Sequence, residues 1–147
     1  IFLRYLCFCG EKLRFPDNGY QGQYINDIAQ VIYDTSGPEF HLKSDLIFKN
    51  VCKDGAEGGD KEKHIDQLIE KAKSKLGGGF KAVFKVGIES ILSGIKNDLA
   101  EFGVVFEKWF SEQSLIDNGL SEYCISKRKN SKNLYEKDGA LWFKTTN

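Results

Sequence analysis

The sequence predicts an α+β fold: a mainly helical module with a small antiparallel sheet. Three observations predict it. Apolar residues recur at helical spacing along most of the chain between Gln21 and Glu101. The period then changes over Val104 to Phe110, a β-branched and aromatic run. Finally, Asp138-Gly139 sits between two apolar-rich flanks, as in a two-residue hairpin turn. The 147 residues suit about one domain. An apolar content of 41% can fill a core, which excludes wholesale disorder.

Taken in order, Leu3, Leu6 and the surrounding aromatics read as the end of a buried helix that stops near Gly10. Arg14 to Gly19 holds Pro16 and Asn18-Gly19, strong local breakers, and forms a turn cluster. Tyr24, Ile25, Ile28, Val31 and Ile32 place an amphipathic helix over Gln21 to Asp34, which Gly37-Pro38 ends. Residues 43–81 are the least defined part. Leu42, Leu46, Ile47 and Phe48 suit a short helix, and Lys53 to Asp60 a polar loop. Ile65, Leu68, Ile69, Ala72 and Leu76 then mark a helix over Lys61 to Leu76, broken by Gly77-Gly78-Gly79. The longest helix is expected over Phe80 to Glu101, with Gly103 at its cap. A strand over Val104 to Phe110, a short helix over Leu120 to Arg128 and a hairpin over Leu134 to Lys144 complete the chain. The small sheet is expected to join the Phe106 strand to the hairpin. No internal repeat and no clean domain boundary are visible.

Lys and Arg number 21, as do Asp and Glu, so the formal net charge is zero. That argues against a polybasic whole-surface nucleic-acid binder but leaves room for a local patch. The apolar start from Ile1 to Cys9 is interrupted by Arg4 and lacks the basic flank and cleavage site of a signal peptide. No apolar run approaches the roughly 20 residues of a membrane-spanning helix, so a soluble protein without membrane contact is expected. Cys7, Cys9, Cys52 and Cys124 show no zinc-knuckle spacing, and His41 and His64 lack a helical partner, so no metal site is assigned. Scattered thiols without a framework favour a cytoplasmic setting. The sequence contains no Met, and Ile1 lies inside an apolar run, so the chain is expected to be a piece of something larger.

No catalytic constellation emerges. Gly77-Gly78-Gly79-Phe80-Lys81 lacks the spacing and the Lys-Ser/Thr pair of a phosphate loop and reads as a helix break. Ser111, Ser114 and Ser121 have no nucleophile elbow, and Ser111-Glu112 and Ser121-Glu122 read as helix caps. Asp98, Glu101 and Glu107 fall on faces expected to be solvated. The one local feature is the cationic run Lys127-Arg128-Lys129-Asn130-Ser131-Lys132, followed by Tyr135 and Trp142. Lys127, Arg128, Lys129 and Lys132 are candidate RNA-phosphate contacts with aromatics available for stacking, against the simpler reading of a solvated helix end.

Three stretches, in order, carry a resemblance. They are Phe2-Leu3-Arg4-Tyr5-Leu6 leading to Phe15-Pro16-Asp17-Asn18-Gly19-Tyr20-Gln21-Gly22-Gln23-Tyr24-Ile25; Ile95 to Leu115, with Phe102-Gly103-Val104-Val105-Phe106-Glu107-Lys108-Trp109-Phe110-Ser111-Glu112 at its centre; and Leu134-Tyr135-Glu136-Lys137-Asp138-Gly139-Ala140-Leu141-Trp142-Phe143-Lys144-Thr145-Thr146. Together they resemble the arginyl–tRNA synthetases. The resemblance implies a class I synthetase whose Rossmann-type catalytic domain joins arginine to tRNA(Arg) using ATP and magnesium in the cytoplasm. The arginine carboxylate would attack the ATP α-phosphate, and the arginyl group would then pass to the terminal ribose of the tRNA.

The resemblance also implies a place in that enzyme. The family's His-x-Gly-His signature precedes such a segment, and its Lys-Met-Ser-Lys-Ser-type loop follows; neither occurs here. Residues 1–147 therefore resemble the insertion between the two halves of the catalytic fold, excised from its parent. No catalytic, cofactor-binding or metal-binding residue carries over, and the isolated chain is expected to be inactive. Gly19 to Tyr24 and Asp138 to Trp142 match best, in an architectural role beside the active-site mouth and the tRNA acceptor end. Lys43 to Lys81 departs from the family, and Ser121 to Asn133 matches only as a helix of similar placement. The alternative is a non-catalytic RNA- or protein-binding helical module. Coding sequence for the His-x-Gly-His motif directly upstream would exclude it.

Overall fold

The computed structural model describes residues 1–128 and 132–145. The chain divides into two compact units, Ile1–Val104 and Val105–Asn147.

The first unit holds five helices: α1 (Phe2–Phe8), α2 (Gln23–Ser36), α3 (Ser44–Phe48), α4 (Lys61–Leu76) and α5 (Gly78–Glu101). A single 3-10 turn, Gly55–Glu57, lies within the expected polar loop. α2 buries Ile25, Ile28, Ala29 and Ile32, one stripe at helical spacing. Ile28, Ala29 and Ile32 join Tyr5 and Leu6 of α1, Ile47 of α3, Leu68 of α4 and Val83 of α5 in one core. Burying a side chain of this size contributes about 1.5–3 kcal/mol. Tyr5 is fully buried yet satisfied. Its hydroxyl donates to the Gly37 carbonyl oxygen (2.7 Å) and accepts from the Phe40 N–H (3.1 Å), tying α1 to the turn after α2.

α4 begins at Asp60, whose carboxylate accepts from the N–H groups of Glu62 and Lys63. Lys73 and Lys75 occupy its last turn, where cations complement the helix dipole. Gly77 then ends α4 and opens α5, with φ at +52°, a backbone region that strains any side chain. The triple glycine thus supplies a one-residue joint. α5 runs 24 residues and closes in a Schellman motif. The Val104 N–H reaches the Leu99 carbonyl, and the Gly103 N–H that of Ala100.

The second unit holds α6 (Gln113–Asp117), α7 (Leu120–Arg128) and two antiparallel strands, β1 (Leu134–Lys137) and β2 (Ala140–Phe143). Asp138 and Gly139 form the turn with φ of +53° and +75°, the pair of positive values that a two-residue hairpin of this twist requires.

Two expectations are corrected. Val104 to Phe110 forms no strand, so among the described residues the sheet is the hairpin alone. β-propensity expresses packing on a pleated surface. No ladder partner occurs for this run among the described residues, and Phe106 instead meets Trp109 edge-on within the same segment. The serine caps also fail. Glu112 precedes α6 in helical conformation without a side-chain cap, and Ser114 Oγ donates to the Ser111 carbonyl oxygen (2.6 Å). Ser121 lies inside α7, one residue past its start.

Candidate nucleic-acid interface

The hairpin register decides which side chains share a face. Leu134 lies opposite Phe143, Tyr135 opposite Trp142, Glu136 opposite Leu141 and Lys137 opposite Ala140. Successive side chains alternate. Leu134, Leu141 and Phe143 therefore point one way, and with Cys124, Ile125 and Arg128 of α7 they line a hollow of about 410 Å³. Tyr135, Trp142, Lys137 and Ala140 point the other way. Trp142 Nε1–H donates to the Lys137 carbonyl oxygen (3.1 Å), pinning the indole across that face. A further bond from the Lys144 N–H to the Asn133 carbonyl (2.7 Å) extends the ladder by one step.

Lys127 and Arg128 form the last residues of α7, both exposed. Lys127 Nζ stands 5.5 Å from the centre of the Tyr123 ring, one turn earlier. Arg128 is among the residues that line the hollow beneath the hairpin. Lys132 is exposed two residues before β1. Among the described residues no ion pair engages Lys127, Arg128 or Lys132. Lys129 lies outside the described residues. The structure thus places two of the four cations on one helix end and brings Tyr135 and Trp142 together as a cross-strand pair.

The first unit has a different character. A hollow of about 520 Å³ is lined by apolar side chains such as Phe2, Phe15, Ile69, Phe80 and Phe84, with Tyr20 and Asn18 its polar exceptions. It gathers no acid, base or nucleophile. The segment from Phe15 to Gly22 is held from two sides. Arg4 stacks its guanidinium over the Phe15 ring at 3.8 Å and donates to Gln21 Oε1. Opposite, the Asp17 N–H donates to Asp54 Oδ2 (2.8 Å), while Asp17 Oδ2 accepts from the Ala56 N–H (2.6 Å). The Asp17 amide, aided by that of Gly55, holds the Asp54 carboxyl below its ordinary range.

Glu11 accepts from the Ser44 N–H (2.7 Å) and bonds His41 Nε2 (2.9 Å). Those partners, the Ser44 amide first, bring its pKa down to about 2. Sequence reasoning found neither carboxylate clamp, because each joins residues more than 29 positions apart; only the turn-forming Asp54-Gly55 dipeptide hinted at one. His64 is buried, with Nδ1 2.6 Å from the Cys52 carbonyl, a satisfied core position. Lys81 lies exposed on α5, away from any phosphate-loop geometry. Among the described residues, no three His, Cys, Asp or Glu side chains gather in a way that could hold a metal ion. No described helix is long and apolar enough to cross a membrane.

No family model matches the chain. No solved structure matches it either. Curated proteins do. The chain is 48% identical over 152 residues to an arginine–tRNA ligase of Hydrogenovibrio crunogenus, covering 99% of this chain and 26% of that protein. It is 49% identical to the arginine–tRNA ligase of Vesicomyosocius okutanii and 44% identical to that of Legionella pneumophila strain Philadelphia 1, again over 99% of this chain and 25% of each relative. The chain spans about a quarter of the length of these relatives. Over nearly all of its length, then, this chain matches a segment of the larger arginine–tRNA ligases.

Proposed function

We propose that the chain is part of an arginine–tRNA ligase: a helical insertion in a class I catalytic domain that attaches arginine to tRNA(Arg) at the expense of ATP. The observation that supports this reading is identity of 42–49% sustained over 99% of the chain. ATP and magnesium belong to the parent's chemistry, and the described residues offer no carboxylate cluster for the metal. The chain's own contribution is architectural and electrostatic. α1, α2 and the Phe15–Gly22 segment form a braced platform. Lys127, Arg128, Lys129 and Lys132 supply cations for the tRNA backbone.

ATP–pyrophosphate exchange on this chain alone should show no arginine-dependent signal; exchange above background would sink the inactivity claim. In the full enzyme, replacing Lys127, Arg128, Lys129 and Lys132 with Ala should weaken tRNA binding. The salt dependence should flatten by about 0.7–0.9 of a log–log unit for each phosphate no longer neutralised. Unchanged affinity would return these residues to a solvated helix end.

A further inference from the structure

The hairpin face turned away from α7 carries Tyr135, Trp142 and Lys137. Cross-strand partners stand about 5 Å apart at Cβ, so the two aromatic side chains are neighbours. Each is about half exposed, Tyr135 at 46% and Trp142 at 50%. The Trp142 N–H is already spent on the Lys137 carbonyl, which fixes the ring and leaves its face as the binding element. A ring held before binding loses little freedom on binding.

The surroundings choose the occupant. From Leu120 onward the chain carries six cations (Lys127, Arg128, Lys129, Lys132, Lys137, Lys144) against three acids (Glu122, Glu136, Asp138), while the whole chain is neutral. Protein interfaces deplete lysine at their centres, whereas single-stranded nucleic-acid sites combine cations with stacking aromatics. A second copy would bring the same positive field to the same face. A duplex keeps its bases stacked on one another and out of reach.

We propose that the Tyr135–Trp142 face is a stacking platform for an unpaired RNA base, with Lys137 on the same face beside a flanking phosphate and the basic run at the end of α7 contacting the strand beyond it. The proposal rests on the reading of the basic run as an RNA contact and extends it from charge to stacking.

The test uses the 147-residue chain as Trp109→Phe, so that Trp142 is its only tryptophan. The probe is a ten-nucleotide single-stranded RNA, with the same strand in duplex form for comparison. Saturable quenching of Trp142 emission by the single strand, with much weaker quenching by the duplex, is expected. With affinity read by the fluorescence anisotropy of a 5′-labelled strand, which needs no tryptophan, Tyr135→Ala and Trp142→Ala should each lower it about 5- to 100-fold, the range of one base–aromatic stack. Trp142→Phe should keep most of the affinity, which separates stacking from loss of the hairpin. Unquenched emission at saturating single strand overturns the proposal, as does equal quenching by duplex. If binding survives both alanine variants but is lost in Lys127→Ala/Arg128→Ala/Lys132→Ala, stacking falls and the electrostatic reading stands. If no RNA binds, both fall. Emission that shifts with chain concentration alone assigns the face to self-association and also overturns the proposal.

Discussion

The Tyr5 hydroxyl and the Glu11 carboxylate each bridge segments far apart in sequence, and each titrates outside its ordinary range. Burial first, and then the neighbouring Cys9 thiol, push the Tyr5 pKa up to about 12 from 10.0. The neutral form is the one the fold holds, so its contribution is complete below pH 10 and is lost as pH rises through 12. Tyr5→Phe keeps the ring but leaves the Gly37 carbonyl and Phe40 N–H without their partner. A loss of about 1–3 kcal/mol in urea unfolding is expected, together with disappearance of the alkaline decline. Glu11 runs the other way. Its pKa, about 2 in the fold against 4.5, means the clamp is fully effective above pH 4.5 and fades as pH falls through 2. Unfolding midpoints at pH 6, 4 and 2.5 should converge for the native chain and Glu11→Gln as acid increases. A constant gap would show that the carboxylate charge is not what holds α3.

At the scale of elements, punctuation proved more informative than propensity. The helix over Lys61 to Leu76 and the helix over Leu120 to Arg128 stand at their expected bounds, and Gly103 caps α5 as its position suggested. Glycine and an aspartate cap act through the local backbone, so their signal is complete within a few residues. That Val104 to Phe110 forms no strand was not legible, since a strand needs a partner that the run itself does not name. The candidate site was legible in part: the cations and the two aromatics stood in the sequence, but only the register set Tyr135 against Trp142. Two substitutions test the punctuation. Asp60→Ala should cost about 1 kcal/mol in thermal or urea unfolding, because two helix N–H groups lose their acceptor. Gly139→Ala forces a side chain into positive φ at a cost of about 1–2 kcal/mol and should abolish the cross-strand Tyr135–Trp142 NMR contacts.

Across the whole molecule, the buried residues of the described chain all fall in the first unit. Hydrophobic burial is the main source of cooperative stability, so the two units should differ in resistance to opening. Amides of α1, α2 and α4 should be the slowest to exchange with solvent, and those of α6, α7 and the hairpin the fastest, by at least about 100-fold at neutral pH. Uniform protection would mean that the second unit draws stability from elsewhere.

α5 shows the same contrast within one element. Val83 and Gly87 anchor its first half, whereas from Leu92 to Glu101 only Leu99 is even partly covered. Ten such residues extend about 15 Å, shorter than a peptide needs to hold a helix alone. The anchored turns supply the nucleus, so this end persists by propagation and unwinds from its tip. Gly94 is the weak point of that propagation: a Cβ there meets nothing within 4 Å, so the glycine serves no packing. Gly94→Ala should therefore lengthen the helical population at the tip and add about 0.5–1 kcal/mol.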